Sequence, residues 1–294
     1  FEVNFKAIPD RSFKPKYKPV FSYQITADVT DINGETHSTS SYVNVGYHNL
    51  KLGLYLKYKI DIDEDSLRST ITATNLNGEP LEVQGQIKLY KVEIPKQYKV
   101  DRYWKEPDVK TIDRATFENK LPYMAYTKAY NQESQWPRKL VKKWSFDTAD
   151  TTLWKVLIEK EWSTGKYVLE IQADDDQGEE IKSETAFSLV DFESQTSITA
   201  DVLDVQVEKN SYEPGDTARI LVASGAELDQ VLVSYEHQGA IVEEYFINLP
   251  QEQKLIQIPV EEKHKGGLQV HFLTQKYGRT ENKYVTVNVP FKEK

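Results

Sequence analysis

The sequence contains no cysteine and one methionine. The first absence removes disulfides, thiolate metal sites and cysteine nucleophiles together. It suits a chain that enters an oxidising compartment without bridges, and equally one that stays in a reducing one. No apolar run approaches the roughly 18 residues of a membrane helix, and no signal-peptide pattern is present. Positive charge is in deficit: Lys plus Arg number 37 against 46 Asp plus Glu, a net charge of −9. Basic residues cluster only briefly, at Lys14–Lys18 and Arg138–Lys143, which read as solvated turns. Such a chain is unsuited to nucleic acid or to insertion into an anionic membrane. The patterns GxSxG, GxGxxG and GxxxxGKS/T are missing, so a nucleophile elbow, a dinucleotide loop and a P-loop have no support.

What is abundant is aromatic: 18 Tyr, 11 Phe and 5 Trp. Together with Val, Ile and Thr these residues favour pleated, half-buried strands. Apolar side chains alternate in "VFSYQITADVTD" (Val20–Asp31), where Phe21, Tyr23, Ile25, Ala27 and Val29 share a face. The same holds in "KYVLEIQAD" (Lys166–Asp174) and "KYVTVNVPF" (Lys283–Phe291). Period two over this length predicts strands with one buried face. The turn signals "TDINGET" (Thr30–Thr36), "TNLNGEP" (Thr74–Pro80) and "DDDQGEE" (Asp174–Glu180) each join two extended runs. Asn33-Gly34 and Asn77-Gly78 supply the positive φ that tight hairpins need, and Gln177-Gly178 does so more weakly.

The expected fold is all-β: serial immunoglobulin-like antiparallel β-sandwiches. A chain of 294 residues suggests two or three domains. The boundaries read as 1–65 for a partial sandwich, 66–195 for a complete one, and 196–294 for a third. The opening "FEVNFKAIPD" reads as a strand already under way, which places missing strands and any targeting signal upstream. The middle unit carries a long insertion at about 96–143, holding Tyr98, Tyr103, Trp104, Tyr123, Tyr126, Tyr130 and Trp136. Within it, Thr111–Pro122 predicts a short helix with Asp113 as N-cap and Pro122 as stop. The aromatic side chains read as pins for the long loop, with a sugar-stacking platform as the alternative. First cleavage by proteases is expected between Tyr98 and Trp144.

Candidate chemistry is sparse. His37, His48, His237, His264 and His271 form no HxH or HExxH pattern and read as structural or surface residues. Asp174, Asp175 and Asp176 precede Gly178 and Glu179, but the spacing departs from a calcium loop and fits a hairpin turn better. No catalytic, cofactor-binding or metal-ligating residue is assigned. Pro214 and Gly215 read as the centre of a type II turn, with Asp216 bonding nearby amides and Ala218, Ile220 and Val222 entering a core.

"VEKNSYEPGDTARILVAS" (Val207–Ser224) resembles the start of a bait-region-type domain of the alpha-2-macroglobulin family, in which a strand reaches a Tyr-x-Pro-Gly-Asp turn and continues as an apolar strand. Val231–Leu249, Lys254–Thr280 and Val285–Phe291 are similar to the strands that follow it. Ile25–Gly46 and Gly165–Asp191 resemble parts of preceding domains in the bacterial members. The resemblance implies non-catalytic macroglobulin domains of a larger protease inhibitor, periplasmic or at the cell surface, with a lipid anchor upstream as one means of attachment. The implied partners are proteases, met through the parent protein, and neighbouring macroglobulin domains. In that family, cleavage of a bait segment triggers a conformational change that traps the protease, and many members add a Cys-x-x-Gln thioester. This chain, without cysteine, carries no thioester. Gln135–Lys143 is the candidate exposed cleavable loop, and the domains are expected to move as rigid bodies hinged at about Asp65 and Gln195. The residues by themselves lead only to serial β-sandwiches without evident catalysis, for which a carbohydrate-binding or adhesion module and a glycoside hydrolase accessory region are the alternatives.

Overall fold

A computed structural model describes residues 4–10, 12–14 and 17–291. Phe1–Val3, part of the Lys14–Lys18 cluster, and the end of the third unit at 292–294 lie outside the described residues. The chain is nearly all β. Its first element is a hairpin of β1 (Val20–Thr30) and β2 (Thr36–Gly46), in register from Val20↔Gly46 to Thr30↔Thr36.

The middle sandwich packs a three-stranded sheet on a five-stranded one. The first is ordered β3 (Lys51–Leu54), β5 (Ser66–Thr74), β8 (Leu153–Leu157). The second is ordered β4 (Lys59–Asp61), β10 (Glu180–Val190), β9 (Gly165–Asp174), β6 (Gln84–Val92), β7 (Arg138–Asp147). Leu54, Leu67, Ile71, Ile87, Leu89, Trp154 and Leu169 meet between the sheets. Tyr167, Leu169, Ile171 and Ala173 are all buried, so the alternation in β9 marks a real inner face. Gly85 in β6 is fixed by space: a Cβ there would lie 2.2 Å from the Gln172 carbonyl oxygen.

The third sandwich pairs β11 (Asp204–Val207), β12 (Thr217–Ala223) and β15 (Gln253–Pro259) against β14 (Ala240–Pro250), β13 (Glu227–His237), β16 (Leu268–Lys276) and β17 (Arg279–Val287). The Tyr-x-Pro-Gly-Asp turn leads directly into it. Gly215 has φ +102°, and the Asp216 amide donates to the Glu213 carbonyl at 2.9 Å, as a type II turn requires. The Asp216 carboxylate accepts from the Glu213 amide at 2.8 Å. Tyr212 is buried beneath the turn, and its hydroxyl accepts from the Lys209 amide at 3.0 Å. Ala218, Ile220 and Val222 then enter the core without exposure.

Four expectations need correction. β3 and β4 lie before residue 65 yet pair with β5 and β10; the expected boundary therefore falls inside the middle sandwich, which starts near Leu50. The first unit is a hairpin with no opposing sheet among the described residues. Its alternation is correct, but Ile25, Ala27 and Val29 are exposed, and only Phe21 and Tyr23 gain cover, from Phe13, Tyr47 and Phe5. Within the opening segment, Asn4–Asp10 is not a strand. Finally, Arg138–Lys143 is no loop: it forms the start of β7, hydrogen-bonded to β6.

The repeated turn also differs from a two-residue hairpin. Asp31, Asn75 and Asp175 each open a five-residue loop ending in Gly-Glu. In each, the side-chain Oδ1 accepts from the amides two and four residues on, at 2.8 and 2.9 Å for Asp31, 2.9 and 3.0 Å for Asn75, and 2.9 and 2.9 Å for Asp175. The loop's first amide returns to the Glu carbonyl, and the glycine takes the left-handed conformation, with φ of 86°, 90° and 80°. The Asx side chain, not the Asn-Gly pair, organises the loop.

Candidate functional site

Two of these loops dock the first hairpin. The Asn44 amide donates to Asn77 Oδ1 at 2.8 Å, and Asn77 Nδ2 returns to the Asn44 carbonyl at 3.2 Å. Asp175 Oδ2 accepts from the Asn49 amide at 3.1 Å, and Lys18 reaches the Glu179 carboxylate at 3.1 Å. Burial alone would raise the Asp175 carboxyl, but bonds from the Glu179, Asn49 and Gln177 amides outweigh it and hold the group below the usual carboxylate range. That carboxylate is committed to backbone amides, as a turn residue rather than a calcium ligand. The joint to the first unit thus lies at residues 46–50, not at Asp65.

The insertion forms the most distinctive site. It leaves β6 at Val92 and returns at β7, folding on the way around α1 (Arg114–Lys120). The helix starts where Asp113 accepts from the Thr116 amide at 2.9 Å, and it ends at Leu121, before Pro122, as its sequence signals imply. Phe117 packs with Val100 and Met124, and Val100 and Ala125 are tied by amide bonds of 2.8 Å to the Tyr123 and Val100 carbonyls. The Arg102 guanidinium lies over the Phe117 ring at 4.4 Å.

This small body binds the third sandwich. Tyr277, in the β16–β17 turn, stacks with Tyr123 at 5.1 Å and Tyr98 at 6.5 Å, both at 11° between planes. Four hydrogen bonds join it: Tyr103 hydroxyl to the Tyr277 carbonyl at 2.5 Å, an Arg279 nitrogen to the Asp101 carbonyl at 3.0 Å, Gln251 Nε2 to the Lys96 carbonyl at 2.6 Å, and the Tyr98 amide to the Gly225 carbonyl at 3.3 Å. Its other end is held by the middle sandwich, where Trp136 packs on Val92 and Val168 and Lys166 pairs with Glu133. Beside it, Lys59 of the middle sandwich pairs with Asp204 of the third at 2.8 Å. The insertion is therefore a clasp across the joint expected to hinge at Gln195.

The aromatic residues singled out in the sequence act as pins, but the surface they grip lies on the next domain. Tyr98, Tyr123, Tyr126, Tyr130 and Trp136 are engaged in packing or hydrogen bonds. Trp104 is half exposed. It borders a cavity of 460 Å³ with Arg102, Lys105, Glu106 and Lys128.

The histidines are scattered, with one exception. His37 stands exposed opposite Val29. His48 lies in the joint before β3, where burial, aided by Lys18, lowers its pKa. His271 Nε2 lies 3.2 Å from the Glu236 carboxylate. His237 and His264, distant in sequence, meet edge to face at 6.1 Å. His237 Nδ1 bonds the Gly267 carbonyl at 2.8 Å, and His264 Nδ1 accepts from the Glu261 amide at 3.0 Å. Burial, with Lys263 adding repulsion, lowers the His264 pKa. No sequence motif marks this pair. Among the described residues, no group of three or more His, Asp and Glu side chains is placed to hold a metal, and no helix is long and apolar enough to cross a membrane.

No protein-family profile and no curated protein matches the sequence. By structure, the chain is similar to alpha-2-macroglobulin of E. coli, with a TM-score of 0.34 and 13% identity over 92% of this chain and 17% of that one. It is also similar to a calcium-stabilised adhesin by which an Antarctic bacterium binds ice, at TM-score 0.22 and 11% identity over 92% of this chain and 57% of that one. Fibronectin(III)-like modules of Clostridium thermocellum CbhA align at TM-score 0.24 and 9% identity, over 81% of this chain and 95% of theirs. The chain spans about a sixth of the E. coli protein's length. At such scores neither inhibitor nor adhesin is singled out.

Proposed function

We propose that this chain is a non-catalytic run of macroglobulin-like β-sandwiches serving as a stiff structural part of an alpha-2-macroglobulin-like protease inhibitor, in the periplasm or at the cell surface. The clasp carries the reading. Its aromatic and charged side chains are spent on fixing one sandwich against the next, which suits a part that passes a rigid-body movement along. The Tyr-x-Pro-Gly-Asp start of the third sandwich supports the family assignment. With Arg138–Lys143 in a strand, the bait segment is sought outside it. The test is the polypeptide that carries this chain, mixed with an endopeptidase. Steric trapping leaves cleavage of a small chromogenic peptide intact while cleavage of a large protein stops. Loss of both activities, or of neither, refutes the trap.

The second reading is a carbohydrate-binding or adhesion module, favoured by half-exposed Trp104 beside Arg102 and Glu106. Glycan-array binding abolished by Trp104→Ala would establish it.

A further inference from the structure

Sheet edges expose unpaired amides and carbonyls, and proteins protect them with short strands, lysines or prolines. In the two sandwiches every edge strand but one is short or carries basic residues. β3, β4, β8 and β11 are short. β7 carries Arg138, Lys139, Lys142 and Lys143, β15 carries Lys254, and β17 carries Arg279 and Lys283. β14 is 11 residues long, "AIVEEYFINLP", with no basic residue and no proline before its last position; its only charges are Glu243 and Glu244, and its register against β13 shifts between Ile241 and Glu243. It pairs with β13 on one side only. Ile241, Val242 and Phe246 stand exposed along it.

Beside that free edge, between β14 and β15, the sandwich opens into a cleft of 680 Å³. Its lining includes Tyr235, Tyr245, Glu243, Gln257, His237 and His264. The two tyrosine hydroxyls bond each other at 2.6 Å, and burial raises both pKa values, so they stay protonated. The Glu243 carboxylate has no cationic partner among the described residues. Lys263 at the rim is taken by Glu261 at 3.0 Å.

We propose that β14 is a docking edge for an extended segment of a partner protein that carries a lysine or arginine. The segment adds a strand to the four-stranded sheet and roofs the cleft. Backbone bonds along β14 supply affinity, and alternate side chains point inward. The inner position meets a lone carboxylate and tyrosine oxygens, which selects a cation over an aliphatic or acidic side chain.

The test uses a labelled threonine–valine strand peptide with lysine at its centre, titrated into the chain and followed by fluorescence anisotropy and amide chemical shifts. Saturable binding is expected, with shifts confined to Ala240–Pro250 and the cleft. Replacing the central lysine with glutamate should weaken binding about tenfold, the equivalent of one lost charge contact. Glu243→Gln should weaken the lysine peptide by a similar factor while leaving a threonine-centred peptide unchanged. N-methylation of alternate peptide amides should abolish binding. Absence of saturable binding, equal binding of the glutamate or N-methylated peptide, or shifts centred on the β1–β2 hairpin would overturn the proposal.

Discussion

Tyr277→Ala should open the clasp without harming either sandwich. Tyr277 sits in the β16–β17 turn and packs against the Val100–Phe117–Met124 cluster rather than in the core of the third sandwich. Truncation removes its stacking on Tyr98 and Tyr123, while its carbonyl can still receive the Tyr103 hydroxyl. Each aromatic pair contributes about 0.5–1.5 kcal/mol beyond burial, so the joint loses about 2 kcal/mol. That raises the population of the undocked clasp roughly thirtyfold. The reporter is the Tyr98 amide, whose acceptor is the Gly225 carbonyl across the joint. Its native-state hydrogen exchange should quicken by that factor. The Val100 and Ala125 amides, whose acceptors lie inside the clasp, should respond less, and Ala218–Val222 in β12 not at all. An unchanged Tyr98 rate would refute the clasp as a stabilising contact. Equal acceleration in β12 would show that the third sandwich itself had been damaged.

Tyr212→Phe leaves the Lys209 amide without its partner; the expected loss of about 1 kcal/mol should lower the third sandwich's melting temperature by about 4–8 °C in calorimetry. Asp175→Ala should destabilise the chain at pH 7, whereas Asp175→Asn should restore only the part carried by Oδ1, the bonds from the Gln177 and Glu179 amides, because its Nδ2 cannot accept from the Asn49 amide. Because the folded carboxyl lies below its usual value, its contribution is present above the unfolded pKa of about 3.9 and disappears as pH falls through the folded value; the melting gap between wild type and Asp175→Ala should therefore close in acid. Trypsin should cut at Lys105 or Lys110, both exposed outside any strand or helix, well before Arg138–Lys143 in β7, and first cleavage within β7 would contradict its pairing with β6.

Much of the fold was legible because it is written locally. Alternation located β9, and a proline, a glycine and an aspartate in a row marked the start of β12. Asp113 and Pro122 bracketed α1 to within a few residues. What failed was non-local. β3 and β4 are too short for a period to show, and nothing near them announces that β3 pairs with β5 or that β4 pairs with β10, whose residues come more than a hundred positions after it. The alternation of β1 could not reveal that its apolar face has no opposing sheet among the described residues. The aromatic insertion was recognised as structured, but its grip depends on Tyr277 and Arg279, far along the chain. The His237–His264 pair arises only because the β13–β14 turn and the segment after β15 meet at the same end of the sandwich.

The clasp has a mechanical consequence. The covalent path from the middle to the third sandwich is the stretch between β10 and β11, residues 191–203. The clasp runs alongside it, anchored at Trp136 on one sandwich and at Tyr277 and Arg279 on the other. Tension along the chain is therefore shared between two parallel routes, and residues 191–203, themselves bonded to the third sandwich through Gln253, Ser224 and Gly225, are not drawn out until the clasp lets go. A pull too weak to break it moves the two sandwiches as one piece. A stronger pull releases a longer tether in a single step, so the joint would yield abruptly rather than stretch.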